Sequence, residues 1–274
     1  PDNASKVYGE SDKEFTYTPS GLVGEDTLSD ITLSRAEGDN VGTYEITAAQ
    51  KKDANPNYSV KFNKGTFTIN PKEITVTITP NGGTYEGNII SAAAVLNGLV
   101  GEDKPEIILT YAGKANDGTE VNGTKTPVLA GTYTVTASIT DSNYNLKAEG
   151  TTAEFVVTKA TPGLSVAAVS DKSYGEGAFK LGVSNKGDGL KSYVSSNEKV
   201  VTVDEKGTVT IVGAGTATLT VSLAESANYT ADRKAVTVTV APKEITVTAD
   251  NQKKIAGEAD PVLTYTADGL VGED

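Results

Sequence analysis

Apolar residues recur at every second position over short runs of this chain, and polar residues, mostly threonine, fill the places between. In 72–79, Ile74, Val76 and Ile78 face one way and Thr75, Thr77 and Thr79 the other. Tyr133, Val135, Ala137 and Ile139 share a face, as do Tyr58, Val60 and Phe62; so do Ala217, Leu219 and Val221, and Val236, Val238 and Val240. A period of two marks a strand with one buried face. Turn-forming clusters separate the runs: Asn81-Gly82-Gly83, Asn116-Asp117-Gly118, Asn122-Gly123 and Glu205-Lys206-Gly207. Residues 200–223 read as three strands with turns at Lys206-Gly207 and at 213–215. No segment holds a 3.6-residue period over about 11 residues, and the best helical chances are single turns near 22–28 and 91–96. The pattern predicts an all-β chain.

Blocks of sequence repeat. Gly-Leu-Val-Gly-Glu-Asp stands at 21–26, 98–103 and 269–274. Lys-Glu-Ile-Thr-Val-Thr stands at 72–77 and 243–248, preceded each time by proline, Pro71 and Pro242. Asn57-Tyr58, Asn143-Tyr144 and Asn228-Tyr229 form a third set, and Tyr8, Tyr85 and Tyr174, each beside Gly-Glu or Glu-Gly, a fourth. Residues 1–26 and 249–274 are identical at 15 of 26 positions without a gap. The repeats divide the chain into 1–70, a module expected to lack its first strand; 71–158; 159–241; and 242–274, the opening third of a further module. Units of roughly 80–90 residues are too long for solenoid repeats and suit separately packed β-modules. The links at Pro71, 159–163 and Pro242 are short and extended, which limits hinging and predicts a semi-rigid array.

Composition narrows the chemistry. The 274 residues include 37 Thr, 24 Lys and Arg against 36 Asp and Glu, and no His, Cys, Met or Trp. Without His or Cys, the usual zinc, haem and iron–sulfur ligand sets and the His- or Cys-based triads cannot be built. A net charge of −12 opposes binding to nucleic acid or anionic lipid. The longest apolar stretch, 89–100, is broken by Ser91, Asn97 and Gly98 and is too short to span a bilayer. The absence of sulfur side chains suits an oxidising exterior, and without an initiator Met or leader the chain reads as an internal piece of something longer.

The first module resembles the MBG domain of the YGX type, found in tandem in bacterial surface proteins. The resemblance rests on Tyr8-Gly9-Glu10, Phe15-Thr16-Tyr17-Thr18, residues 21–26, Val41-Gly42-Thr43-Tyr44, Asn57-Tyr58 and Phe67-Thr68-Ile69. Residues 249–274 match its first half. The second module resembles a relative, with an insertion around 111–126 and the altered order Tyr85-Glu86-Gly87. The third, through 195–204, Gly207 and 212–217, is similar to the group-2 bacterial Ig-like domains of invasin- and intimin-type proteins. The resemblance implies a cell-surface protein of β-sandwich or Ig-like modules, with a β-grasp carrying a short helix near 22–28 as the alternative.

Candidate chemistry is sparse. The Glu-Asp pairs of the hexapeptide (Glu25-Asp26, Glu102-Asp103, Glu273-Asp274) could attract a cation, but two adjacent acids without an Asp-x-Asp-x-Asp-Gly loop read as polar turns. Tyr44, Tyr58 and Tyr133 fall on apolar faces and read as core rather than as sugar-stacking platforms. Asn70 is a conceivable partner for a Lys isopeptide bond, and Asn3, Asn57, Asn122 and Asn228 fit the Asn-x-Ser/Thr pattern. No catalytic, metal or cofactor residue is singled out. The expected role is a non-enzymatic stalk of a bacterial surface protein, outside the cell; the alternative is direct binding of host glycan, mucin or matrix protein. The expected partners are neighbouring modules of the chain. Strand 243–248, identical to 72–77, is also expected to pair with another copy in place of the strand the first module lacks.

Overall fold

A computed structural model describes residues 1–272. Among them there are 23 strands and no helix. The all-β expectation holds, and the single-turn helices and helix-bearing β-grasp do not. Near 22–28 the chain makes a turn, because Gly21 and Gly24 take φ of +85° and +60°, which breaks a right-handed helix. Residues 92–96 fall within strand Ala92–Asn97, where six registered pairings to Lys72–Pro80 override the helix propensity of three consecutive alanines. The chain forms two compact units: Pro1–Gly83 with Gly87–Val157, and Thr84–Glu86 with the chain from Thr158 onward.

The first unit holds two modules on one plan. In the first, strand Ala4–Val7 runs parallel to Gly65–Asn70, which pairs antiparallel with Gly42–Gln50, itself antiparallel to Ile31–Arg35. In the second, Thr152–Thr158 pairs with Gly131–Ile139, then Ile107–Ala115, then Glu120–Gly123. The turn before Glu120–Gly123 uses Asn116-Asp117-Gly118, with Gly118 at φ +90°. The second module also has a three-stranded sheet with Lys72–Pro80 at its centre. That strand is parallel to Tyr144–Leu146 and antiparallel to Ala92–Asn97. Its apolar face supplies Ile74 and Val76, 1% and 4% exposed, to a core with Tyr111, Tyr133, Val135 and Phe155.

The first module has no strand in the corresponding place, and its buried core cluster is only Ile46, Phe67 and Ile69. Residues 58–62, expected as a strand, keep the alternating burial but have no ladder partner and are not one.

The second unit repeats the four-stranded plan: Lys172–Ser173 parallel to Asp232–Ala241, then Gly215–Leu223, then Lys191–Ser195. A second sheet of Phe179–Lys180, Thr208–Ile211 and Val201–Val203 packs across it. Together they bury eleven apolar residues, including Val201, Val209, Leu219 and Val221. The expected turn at Lys206-Gly207 is present, with Gly207 at φ +75°. Beyond it, Thr246–Ala249 and Tyr265–Asp268 form a two-stranded hairpin.

Candidate functional site: tyrosine clasps at the module joints

The repeated blocks meet one another. Each module's last strand ends beside a short strand, parallel to it in the first and third modules, and the tyrosine that follows that short strand donates its amide to the end of the last one. Tyr8 N–H donates to Asn70 O at 2.9 Å, Tyr85 N–H to Thr158 O at 2.8 Å and Tyr174 N–H to Ala241 O at 2.9 Å. The chain then enters the next strand, and an Asn carbonyl catches it: Lys72 N–H donates to Asn143 O, and Ala160 N–H to Asn228 O, both at 2.9 Å. The tyrosine after each of these asparagines packs edge-on against the ring of the first. Tyr8 and Tyr144 have centroids 5.3 Å apart at 81°, and Tyr85 and Tyr229 5.5 Å apart at 86°. Edge-to-face pairs of this kind add about 0.5–1.5 kcal/mol beyond their area.

In the first unit the hexapeptide completes the clasp. Asp103 accepts from Tyr8 Oη at 2.9 Å and from Tyr144 Oη by a shorter bond. Tyr144 Oη in turn accepts Val100 N–H at 3.0 Å. Asn143 Oδ1 accepts Val41 N–H at 2.9 Å, and its amide donates to Asn40 Oδ1 at 3.1 Å. Burial first, and then the bond to Asp103, push the Tyr144 phenol up to about 12. The Tyr8 phenol is raised chiefly by that same carboxylate. Gly9, at φ +84°, lies so close to Val100 that a Cβ would collide with it.

The other hexapeptide copies repeat parts of this. Asp26 accepts from Tyr58 Oη at 2.5 Å, and Tyr58 Oη accepts Val23 N–H at 3.1 Å. In the second unit Gly175, at φ +93°, meets Val271 as Gly9 meets Val100, a Cβ falling 2.7 Å from its Cγ2. Glu273 and Asp274 lie outside the described residues. In the second unit Lys159 donates to Ser226 O at 2.7 Å and pairs with Glu225.

The sites considered from sequence are placed as follows. Asp26 and Asp103 hold tyrosine hydroxyls, while Glu25 and Glu102 face solvent. Among the described residues no group of three or more Asp or Glu side chains is arranged to hold a metal. Tyr133 is core at 1% exposure; Tyr44 and Tyr58 are half-buried. The Asn70 amide donates to Lys6 O rather than meeting a lysine amine. Among the described residues no helix is long and apolar enough to cross a membrane. Sequence reasoning missed a buried charge cluster. Lys6, 7% exposed, has Nζ 2.7 Å from Asp12, which also pairs with Arg35 at 2.5 Å. The Arg35 guanidinium lies over Phe67 at 5.0 Å. The only sequence signal was a lysine on the apolar face of a strand.

Strand-built modules joined by recurring tyrosine clasps define an all-β tandem array. Residues 1–68 and 245–274 match the MBG domain (YGX type), 74–161 the MBG domain, and 174–225 the intimin immunoglobulin-like domain. The chain is an array of MBG-type repeats carrying one intimin-type Ig-like module, and these are adhesin-type repeat domains rather than enzyme families. No curated protein matches it significantly. Among solved structures, Drosophila N-cadherin EC1–3 is 10% identical, with 88% of this chain and 98% of that one covered and a TM-score of 0.24. Surface layer protein SbsC, domains 1–6, is 17% identical over 77% of this chain, with a TM-score of 0.29. A SusE-like surface-located polysaccharide-binding protein from Bacteroides thetaiotaomicron is 12% identical over 81%, with a TM-score of 0.24. The chain spans 33% and 36% of the lengths of these last two. At such scores they bear on neither ligand nor partner.

Proposed function

We propose that this chain is a spacer segment of a bacterial cell-surface protein, and that its work is to hold a terminal domain away from the envelope. The observation that carries the reading is the clasp. The same tyrosine amide, linker amide and ring pair recur where one repeat gives way to the next, so the polar and aromatic chemistry of the repeats is spent on fixing joints. A spacer needs angular stiffness at each link, and a part-buried Tyr–Asp–Tyr triad beside a one-residue proline linker supports it. The matched MBG and intimin-type modules support a surface location. The negative surface supports solubility and mutual repulsion between neighbouring stalks.

The test is small-angle scattering on residues 1–158, wild type against Tyr8→Ala/Tyr144→Ala. The wild type should give one narrow distribution of inter-module distances, and the variant a broad one with unchanged strand content by circular dichroism. Identical distributions would remove the clasp from the account. Tight binding of the intact chain to a glycan array or to mucin would shift the role from spacing to adhesion.

A further inference from the structure

The strands by which the chain enters and leaves the second module run along the module's length. Lys72 is caught by Asn143, just past the end of Gly131–Ile139, and Val157 pairs with Gly131 at the beginning of that strand. Entry and exit therefore stand at opposite ends of a nine-residue strand about 27 Å long. Lys72–Pro80 runs the same way, since Gly82, two residues past its end, lies against Val156 O. A pull on the two ends of the chain draws Lys72–Pro80 and Thr152–Thr158 lengthwise in opposite directions. Antiparallel ladder bonds lie across the strands, so such a pull loads every rung at once, whereas a pull across a strand would open the rungs one by one.

The second module holds both strands firmly. Lys72–Pro80 has three registered positions with Tyr144–Leu146 and six with Ala92–Asn97, and it buries Ile74 and Val76. Thr152–Thr158 has six with Gly131–Ile139 and buries Phe155 and Val157. Sliding either strand by one residue breaks its whole ladder and turns its apolar face outward.

The third module is built alike at its exit and differently at its entry. Asp232–Ala241 leaves along nine registered positions with Gly215–Leu223, burying Val238 and Val240. The entry, beside the beginning of that strand, has no such ladder among the described residues. Ala160 makes a single bridge to Tyr229, its N–H donating to Asn228 O and its O accepting Thr230 N–H, both at 2.9 Å. Lys186 N–H donates to Pro162 O at 2.8 Å, and Leu164, 3% exposed, donates its N–H to Asp232 Oδ2 at 3.3 Å. Ser165–Val166 then pairs with Val183–Ser184 at two positions.

We propose that the array carries tension along its length and yields in a fixed order, residues 159–166 of the third module giving way before either terminal strand of the second. The inference rests on the spacer reading and adds to it that the modules are loaded in use. The order follows from the barrier to forced unfolding, which grows with the rungs and buried side chains that must part together. Once 159–166 leaves, Leu164 comes out of the core it shares with Val201, Leu219 and Val221, and the module opens. The third module is then the element that lengthens under load, releasing chain while the second keeps its shape.

The experiment pulls the full chain by its two ends in an optical trap. The second and third modules, the longest, should each give a rupture that releases about 300 Å of chain, the third at the lower force. Ser165→Cys/Ser184→Cys identifies the third, because these exposed serines have hydroxyl oxygens 2.8 Å apart, within reach of a disulfide. Oxidised, this variant should shorten the third module's rupture by about 65 Å, the length of chain between the two cysteines, and raise its force. Reducing agent should restore both, and the second module's rupture should not move. A second module that opens first, or a third whose force ignores the disulfide, overturns the proposal. A chain that extends without discrete ruptures overturns load-bearing and leaves the spacer reading to the scattering test.

Discussion

At the scale of single residues, the charge cluster and the phenols carry opposite lessons. Lys6 is nearly buried, and its ammonium is held by Asp12 with Asp39 at 3.8 Å. Arg35 and Lys6 keep the Asp12 carboxyl below its ordinary range, the arginine hydrogen bond being the larger cause. Asp12→Ala leaves Lys6 and Arg35 with the exposed Asp39 as their carboxylate partner, Arg35 keeping its bonds to Ala36 O and Gly38 O. It should cost about 1–3 kcal/mol, the usual range for stranding a buried polar group, read as a lower melting temperature of the first unit. Asp12→Asn should fall between, since it keeps the hydrogen-bond acceptor. An unchanged melt in Asp12→Ala would mean solvent reaches the cluster. Tyr144→Phe removes the acceptor of Val100 N–H and a donor to Asp103, and should cost more than Tyr8→Phe, which loses one bond. About 1–2 kcal/mol against about 0.5–1 is the expected order, from denaturant melts of each variant. The reverse order would put the energetic centre of the clasp on Tyr8.

At the scale of elements, the glycines after Tyr8 and Tyr174 set how closely the hexapeptide valines approach. Gly9→Ala forces a Cβ into Val100 and asks an alanine to adopt φ +84°. The expected result is faster proteolysis near Pro71 with the strands of each module intact. Gly24→Ala, also at positive φ but with open space around it, should leave cleavage there unchanged. Most elements are legible in the sequence, because a half-buried strand shows itself locally. Lys72–Pro80, Gly131–Ile139 and the three strands from Val201 to Leu223 follow the alternation directly. The failures have a common cause. Residues 58–62 alternate as a strand does, but a strand exists only with a partner beside it. Residues 92–94 favour a helix locally and become a strand because Lys72–Pro80 lies alongside. The clasp was half legible. The hexapeptide, the Asn-Tyr turn and the leading tyrosine stand out as repeats, yet Tyr8 meets Asp103 across 95 residues of sequence, and no periodicity reports a contact that distant.

At the scale of the whole molecule, stability should be flat across neutral pH and fail at both ends for different reasons. No histidine is present, so no side chain of ordinary pKa titrates between about pH 5 and 8. On the acid side, Asp2, Asp12, Asp117, Glu176 and Asp204 have folded-state pKa values held below their ordinary ones. The unfolded chain therefore binds protons first as pH falls, and the stability these groups contribute above about pH 4 is lost as pH drops through their lowered values. On the alkaline side, Tyr8, Tyr58, Tyr133 and Tyr144 are raised, Tyr144 to about 12. Unfolded tyrosines lose protons near 10 while the folded ones keep them, so stability is fully present below 10 and declines between about 10 and 12. Melting temperature against pH should show a plateau from about 5 to 9 with a fall on each side. Tyr144→Phe should soften the alkaline fall and leave the acid limb unmoved. A step within the plateau, in metal-free buffer, would mean that a group with a strongly displaced pKa governs the fold. An alkaline limb identical in Tyr144→Phe would mean that its phenol contributes nothing to holding the joint.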